Sequence, residues 1–167
     1  NDTLLNLVGL EGLTSIDDSL WIYHNTNLSS LTGLEGLSTI GADLWIEGNH
    51  SLTNLTGLEG LNIVQGYLSI WDNDGLTSLT GLEGLSAIDG NLWIKNNDTL
   101  NSLTGIDNID ASSIEDMRII YNPNLQTCEV LSVCNYLSGP NNGHYSIAGN
   151  SNGCNSIGEV QDSCEAN

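Results

Sequence analysis

Apolar residues of this chain recur at fixed positions in segments of 24 residues. Each segment follows the pattern LxIxxNxxLxxLxGLxGLxxI, and four of them begin at Leu20, Leu44, Leu68 and Leu92. A partial segment precedes the first, and another begins one residue late, at Met117. A short repeat of this kind cannot bury its apolar face alone, so the pattern predicts a stack of coils.

The start of each coil has the pattern of a half-buried strand. Apolar and outward positions alternate in Leu20, Trp21, Ile22 and Tyr23, which is the period of two of a β-strand. Coils that stack at the spacing of paired strands, about 4.8 Å, place equivalent side chains over one another. The apolar columns then fill one continuous core, to which the first coil contributes Leu20, Ile22, Leu28, Leu31, Leu34, Leu37 and Ile40.

Asparagine and glycine mark the corners of the coil. A column of asparagines follows the strands, at Asn25, Asn49, Asn73, Asn97 and Asn122. Buried there, they can bond freed backbone groups and one another, so the glycosylation sequons at Asn49 and Asn97 would carry no glycan. The glycines at 33, 57, 81 and 105, with those at 36, 60 and 84, indicate positive φ or close backbone approach.

The Leu-x-Ile-x-x-Asn-x-x-Leu-x-x-Leu pattern resembles that of leucine-rich repeat proteins. The long coil with its GLEGL corner is similar to the receptor L-domain variety and its bacterial cell-surface relatives, over roughly residues 3–125. The resemblance implies a mainly β fold, a right-handed β-solenoid that displays a sheet for ligand recognition or adhesion. It implies no particular ligand, because fold and function separate easily.

The repeat stops after Leu125, which divides the chain into a solenoid at 1–125 and a C-terminal cap at 126–167. Apolar spacing predicts a short helix ended by Gly139-Pro140, then a strand in HYSIAGN, then a helix from Ser156 to Cys164. Such a small α/β cap would cover the open end of the core and the unpaired sheet edge.

All four cysteines, Cys128, Cys134, Cys154 and Cys164, lie in this cap. Their even number and the lack of CxxC spacing favour two disulfides over zinc, and therefore an extracellular, secreted or cell-surface protein. The segment resembles the C-terminal caps of secreted leucine-rich proteins. Among the three pairings, that resemblance favours Cys128 with Cys154 and Cys134 with Cys164.

The charge of the chain is strongly negative. The chain has two basic residues (Lys plus Arg) and 21 acidic residues (Asp plus Glu), which give a formal net charge of -19. Such a surface repels nucleic acid and anionic membranes, and no apolar stretch reaches the ~18 residues of a membrane-spanning helix. The N-terminal coil lacks a cap, so we expect that the chain is part of a longer one or that self-association covers this end.

Every tryptophan and both cations fall on the outward side of the predicted strands. We interpret these positions as a binding face for a protein or a glycan, formed by Trp21, Tyr23, Trp45, Glu47, Trp71, Trp93, Lys95 and Arg118. Exposed tryptophan is costly and suits stacking on partner groups. The alternatives are a stabilising ladder of aromatic and cation-π contacts, or a structural unit that self-associates through this sheet.

Two further columns suggest other functions. Glu11, Glu35, Glu59, Glu83 and Asp107 form a solvated edge or a calcium site, with Glu35, Glu59 and Glu83 as the candidate ligands. Thr32, Thr56, Thr80 and Thr104 form an ordinary sheet ladder or an ice-binding array. His24, His50 and His144 are scattered and no catalytic motif is found, so we expect neither an enzyme nor a required cofactor.

Overall fold

A computed structural model describes residues 1–140 and 143–166 of the chain. It is a mainly β structure, a solenoid of about six turns of parallel strands with two helices near the C-terminus. The predicted fold class is therefore confirmed. Positions 141, 142 and 167 of the predicted cap lie outside the described residues. In the described part of the chain, no helix has the length and apolar character needed to cross a membrane.

The coils build two parallel sheets, a front sheet of six strands and a side sheet of four. In chain order, the strands are β1 (Ser15–Ile16), β2 (Leu20–Tyr23), β3 (Thr39–Ile40), β4 (Leu44–Glu47), β5 (Ile63–Val64), β6 (Leu68–Trp71), β7 (Ala87–Ile88), β8 (Leu92–Lys95), β9 (Met117–Ile120) and β10 (Tyr145–Ala148). The front sheet has the order β2-β4-β6-β8-β9-β10, and the side sheet has the order β1-β3-β5-β7. Residues 24 positions apart are opposite one another, as with Leu20 and Leu44.

The leucine and isoleucine columns superpose to form one core along the solenoid axis. In the middle coils, every one of these side chains is fully buried, from Leu44 and Ile46 through Leu61 and Val64 to Leu92. Full burial of such a side chain contributes roughly 1.5–3 kcal/mol, and each coil has seven of these positions. The repeat thus supplies the stability that its short strands could not supply alone.

The asparagine column is a buried hydrogen-bonded ladder, as predicted. The backbone N–H of Asn49 donates to Oδ1 of Asn73 at 3.0 Å, and Nδ2 of Asn73 donates to the carbonyl of Ile46 at 2.9 Å. The same pattern repeats through Asn97 and Asn122 to Asn150 in the cap. Asn49 and Asn97 have no exposed surface, so the two sequons are inaccessible.

The glycine columns serve the two purposes expected of them. Gly57 has a φ of +113°, and a Cβ there would lie 2.4 Å from the carbonyl oxygen of Leu31 in the preceding coil. Gly60 has no positive φ, but a Cβ there would lie 2.4 Å from the carbonyl oxygen of Glu35. The coils can therefore stack at strand spacing only where these positions lack a side chain.

The cap consists of β10 and two helices, α1 (Leu131–Ser138) and α2 (Ile157–Ala166), close to the predicted bounds. Disulfides join Cys128 to Cys154 and Cys134 to Cys164, which confirms the pairing that the resemblance favoured. Strand β10 pairs in parallel with β9, so the front sheet continues across position 125. The division of the chain into two domains at that position stays a prediction.

The opposite end of the solenoid is open. Strand β2 is the edge strand of the front sheet, and Leu5, Val8 and Leu10 of the first coil are exposed. Leu7, Leu13 and Ile16 are only partly buried, although their equivalents in later coils are fully buried. This end therefore presents an unpaired strand and incompletely covered apolar side chains.

Candidate functional site

All eight residues predicted for the binding face lie on the outward side of the front sheet. We call this surface the Trp face and define it by the outward residues of β2, β4, β6, β8 and β9: Trp21, Tyr23, Trp45, Glu47, Ser69, Trp71, Trp93, Lys95, Arg118 and Ile120. They form two columns, one through Trp21 and Arg118 and one through Tyr23 and Ile120. The alternation of the strands brings them together because the inward positions hold only core residues.

Four rings of the Trp face, those of Tyr23, Trp21, Trp45 and Trp93, contact one another in sequence, while Trp71 contacts Lys95. Trp21 contacts Trp45 at 5.7 Å between ring centroids and Tyr23 at 6.3 Å. At the other end, Trp93 contacts Tyr67 at 5.8 Å. Each such pair lies within the 4.5–7 Å range of favourable ring contacts. The face is therefore a preassembled aromatic surface.

A gap in the first column shapes the middle of the face. Ser69 occupies the position that tryptophan has in the neighbouring strands, and Trp45 and Trp93 approach to 6.5 Å above it. A cavity of about 130 Å³ lies here, lined also by Trp71 and Lys95. Ligand pockets commonly span ~300–1,000 Å³. This notch can therefore hold only a small group, and any larger partner must lie along the open face.

Both cations of the chain stack on tryptophan. Nζ of Lys95 lies 4.9 Å from the ring centroid of Trp71, and the guanidinium of Arg118 lies 5.4 Å from that of Trp93. Neither makes an ion pair; within residues 1–140 and 143–166 the single ion pair joins His50 and Asp74. The chain has 21 Asp plus Glu, yet neither cation pairs with a carboxylate among the described residues. The Trp face is therefore set apart in charge from the rest of the surface.

Among the aromatic residues of the face, exposure is highest at the N-terminal end. Trp21 is 60% exposed and Tyr23 is 55% exposed, whereas Trp45, Trp71 and Trp93 are half-buried against their neighbours. Nε1 of each of these three half-buried rings is buried and has no hydrogen-bond partner in the described part of the chain. The central rings are thus stacking surfaces, while Trp21 and Tyr23 are the aromatic side chains of the face most open to a partner.

Ser69 and Tyr67 were not among the residues assigned to the site from the sequence, although Ser69 falls on an outward position of its strand. Ser69 forms the floor of the notch, and Tyr67, which immediately precedes β6, packs against Trp93. A signal for Ser69 does exist, because it interrupts a column that otherwise holds tryptophan in three coils. Tyr67 lies outside the strand pattern, and its equivalents in the two adjacent coils are Asp43 and Asn91.

The acidic column caps the glycine corners. A carboxylate oxygen of Glu59 accepts the backbone N–H of Gly57 at 2.8 Å, and Glu11, Glu35, Glu83 and Asp107 make the equivalent bond. The N–H of Gly9 lowers the pKa of Glu11, with a further contribution from its own backbone N–H. Among the described residues, no group of three or more His, Cys, Asp or Glu side chains could hold a metal ion. A calcium role for Glu35, Glu59 and Glu83 has no support from this geometry.

The threonine column is exposed, and in three of its four coils the threonine hydroxyl pairs with that of a serine two residues earlier. The hydroxyl of Thr32 lies 2.6 Å from that of Ser30, and Ser102 and Thr104 are paired in the same way at 2.8 Å. Ser78 and Thr80 pair likewise at 3.1 Å, whereas in the coil that begins at Leu44 the serine is replaced by Asn54, whose Oδ1 accepts the backbone N–H of Thr56. In these three coils the hydroxyls bond within their own coil, as expected of residues that stabilise a turn.

Two other cavities lie towards the cap. One of about 260 Å³ adjoins the Trp face and is lined by Arg118, Ile120, His144, Tyr145 and Ser146. The other, of about 670 Å³, lies beside α1, near Asp110, Leu131 and Asn135. The larger one has neither an aromatic nor a cationic lining residue, which leaves the Trp face as the stronger candidate site. Comparison of the chain with protein-family models, curated proteins and solved structures finds no match.

Proposed function

We propose that this protein is a non-catalytic recognition or adhesion module of the cell exterior, and that it binds a protein or glycan partner through the Trp face. The observation that carries the proposal is the gathering of all four tryptophans and both cations on one face of a rigid sheet. Aromatic and arginine side chains are the residues that most often dominate binding energy.

Several features favour an extracellular setting for this function. Two disulfides hold the cap, and such bonds persist mainly in oxidising compartments. The resemblance of the coil pattern to leucine-rich repeats of the receptor L-domain type points in the same direction. Asn, Ser, Thr and Gly, rather than charged residues, dominate the polar positions of the coils.

Preorganisation supports recognition over a purely stabilising role. The rings are already packed against one another, so a partner would meet a surface that loses little side-chain entropy on binding. A ladder that served only stability would bury its rings as fully as packing allows. Here, the two aromatic residues at one end of the face, Trp21 and Tyr23, keep more than half of their surface exposed.

The test is a screen of the intact chain against a glycan array and a protein array, the latter including the chain itself. The variant Trp21→Ala should lose at least about tenfold in affinity for the partner found, as expected of a binding hot spot. The matched control is Leu131→Ala in α1, because Leu131 is similarly exposed, at 61%, but lies away from the face. If Leu131→Ala weakens binding and Trp21→Ala does not, the proposal is refuted.

The second candidate is a structural unit that self-associates through the same sheet, as part of a larger surface assembly. The open N-terminal coil, with its exposed Leu5, Val8 and Leu10, favours it as a second contact region. Trp fluorescence separates the two candidates. Emission that shifts when a polysaccharide is added supports recognition of a ligand, whereas emission that changes with protein concentration alone supports self-association.

A further inference from the structure

The side chains of the Trp face are arranged symmetrically about its central strand, β6. Strands β4 and β8 adjoin β6 on its two sides. Glu47 and Lys95 occupy matching positions beside Trp71, one in each of these strands. In the other column, Trp45 and Trp93 flank Ser69 in the same way. An acidic residue and a basic residue thus occupy strands one step from the middle of the face, on opposite sides.

This order makes the face complementary to a copy of itself. A second copy turned by 180° about an axis parallel to β6 keeps the strand direction and exchanges β4 with β8. Glu47 of each copy then faces Lys95 of the other, so one two-fold axis creates the ion pair twice. Trp45 of each copy likewise faces Trp93 of the other, and Trp71 faces its own equivalent.

The next strands outward match as well. The same rotation exchanges β2 with β9, which puts Trp21 opposite Arg118 and Tyr23 opposite Ile120. Trp21, which is 60% exposed in the single chain, would then receive a guanidinium against its ring. We infer that the partner of the Trp face is a second copy of this chain, bound face to face about this two-fold axis. The inference rests on the proposed function, since it names the partner of that same face.

Charge limits where two copies can meet. Two chains of net charge -19 repel each other over most of their surface. Beyond about 8 Å, physiological salt screens exposed charges, so the local pattern at the contact decides the outcome. The Trp face carries both cations, and neither makes an ion pair with a carboxylate among residues 1–140 and 143–166. Lys95 is therefore available to Glu47 of another copy.

The size of the face predicts weak association. Five strands at ~4.8 Å spacing and four residues at ~3.3 Å each span roughly 300 Å² in each copy. Stable complexes bury about 1,200 Å² or more in total. The pair should therefore form in the micromolar to millimolar range and act through several copies displayed side by side, where effective concentration compensates for low affinity.

Analytical ultracentrifugation of the intact chain tests the inference. The weight-average mass should rise above the 17.8 kDa of the single chain as concentration increases from about 10 μM to about 1 mM. Glu47→Lys and Lys95→Glu should each weaken this association by about tenfold or more, because like charges then face one another twice. Glu165→Lys, in α2, makes the same charge change as Glu47→Lys but lies away from the face, so it should not weaken the association.

Mixing the two variants is the decisive step. Glu47→Lys leaves only cations in the two facing positions, and Lys95→Glu leaves only carboxylates, so an equimolar mixture should recover the association that each lacks alone. Far-UV circular dichroism of each variant establishes that it is folded. If a charge-reversed variant is not folded, the milder Glu47→Gln or Lys95→Gln takes its place. Each of these should weaken the association by a smaller factor.

The outcomes separate this inference from the proposed function. A chain that stays monomeric at about 1 mM, or a mixture of folded charge-reversed variants that does not associate, overturns the two-fold pair. If such a monomeric chain still binds an array ligand through Trp21, the Trp face remains a recognition surface and its partner is not a second copy. If Leu131→Ala weakens the association and Glu47→Lys does not, the contact lies elsewhere on the molecule.

Discussion

Trp45 and Trp93 lie in strands separated by a third, yet their ring centroids are only 6.5 Å apart. Strands two steps apart in a sheet are about 9.6 Å from each other. The rings can close this distance because Ser69, between them, is too small to separate them. One small residue in a tryptophan column therefore gives the Trp face its notch and links its two ends.

Trp93 should contribute most to the stability of this face. It contacts Trp45 and Tyr67 and carries Arg118 on its ring, so Trp93→Ala should lower the free energy of unfolding by about 2–3 kcal/mol. Trp21→Ala should cost less than about 1 kcal/mol, because most of its surface is exposed already. Urea denaturation measures both, and equal costs would contradict the described packing.

Asn73 should make a large contribution to the free energy of unfolding. Asn73→Ala leaves the backbone N–H of Asn49 and the carbonyl of Ile46 buried without their bonds, at about 1–3 kcal/mol for each group. We expect a loss of about 3 kcal/mol in the free energy of unfolding. Asn25→Ala, at the open end of the ladder, is the control and should cost about 1 kcal/mol. A small effect at Asn73 would show that the ladder does not support the stack.

Glycine substitutions should have opposite effects at two positions. Gly57→Ala should destabilise the protein by more than about 3 kcal/mol, because φ is positive and the added methyl meets the Leu31 carbonyl. Gly158→Ala, in α2, meets nothing within 4 Å and should stabilise by about 0.5–1 kcal/mol. Thermal melting measures both, and an unaffected Gly57→Ala variant would mean that the coils do not stack this closely.

Two carboxylates should titrate below their ordinary range. The N–H of Gly9 lowers the pKa of Glu11, and the backbone and hydroxyl of Ser112 lower the pKa of Asp110. A pKa that is lower in the folded state stabilises the protein above the unfolded value, and this contribution is lost as the pH falls through the lowered pKa. Side-chain carboxyl chemical shifts in a pH series give both midpoints. Midpoints at or above the ordinary pKa values would contradict the hydrogen bonds described for Glu11 and Asp110.

The sequence predicted those features that depend on the repeat alone. Columns such as Leu44 over Leu68 and the Asn49–Asn73 ladder follow from stacking identical coils, because each residue meets its own equivalent. The cap helices followed from local apolar spacing. The disulfide pairing followed only from the resemblance to known caps, since spacing alone left three choices open.

What the sequence did not predict depends on side-chain packing between unlike coils. The approach of Trp45 to Trp93 depends on rotamers that adjust to Ser69, and the Tyr67 contact comes from a position whose equivalents in the two adjacent coils are Asp43 and Asn91. The bond from Glu59 back to Gly57 was missed as well, because a column of carboxylates gave no sign of which backbone group each one would meet.

Hydroxyl-radical footprinting of the protein, with and without its bound partner, tests the Trp face most directly. Trp21 and Tyr23 are exposed and reactive in the single chain, so binding should protect both, while Leu131 in the cap should react at the same rate in either state. If Trp21 and Tyr23 stay equally reactive in the complex while Leu131 becomes protected, then the partner binds elsewhere and the Trp face is not the recognition surface.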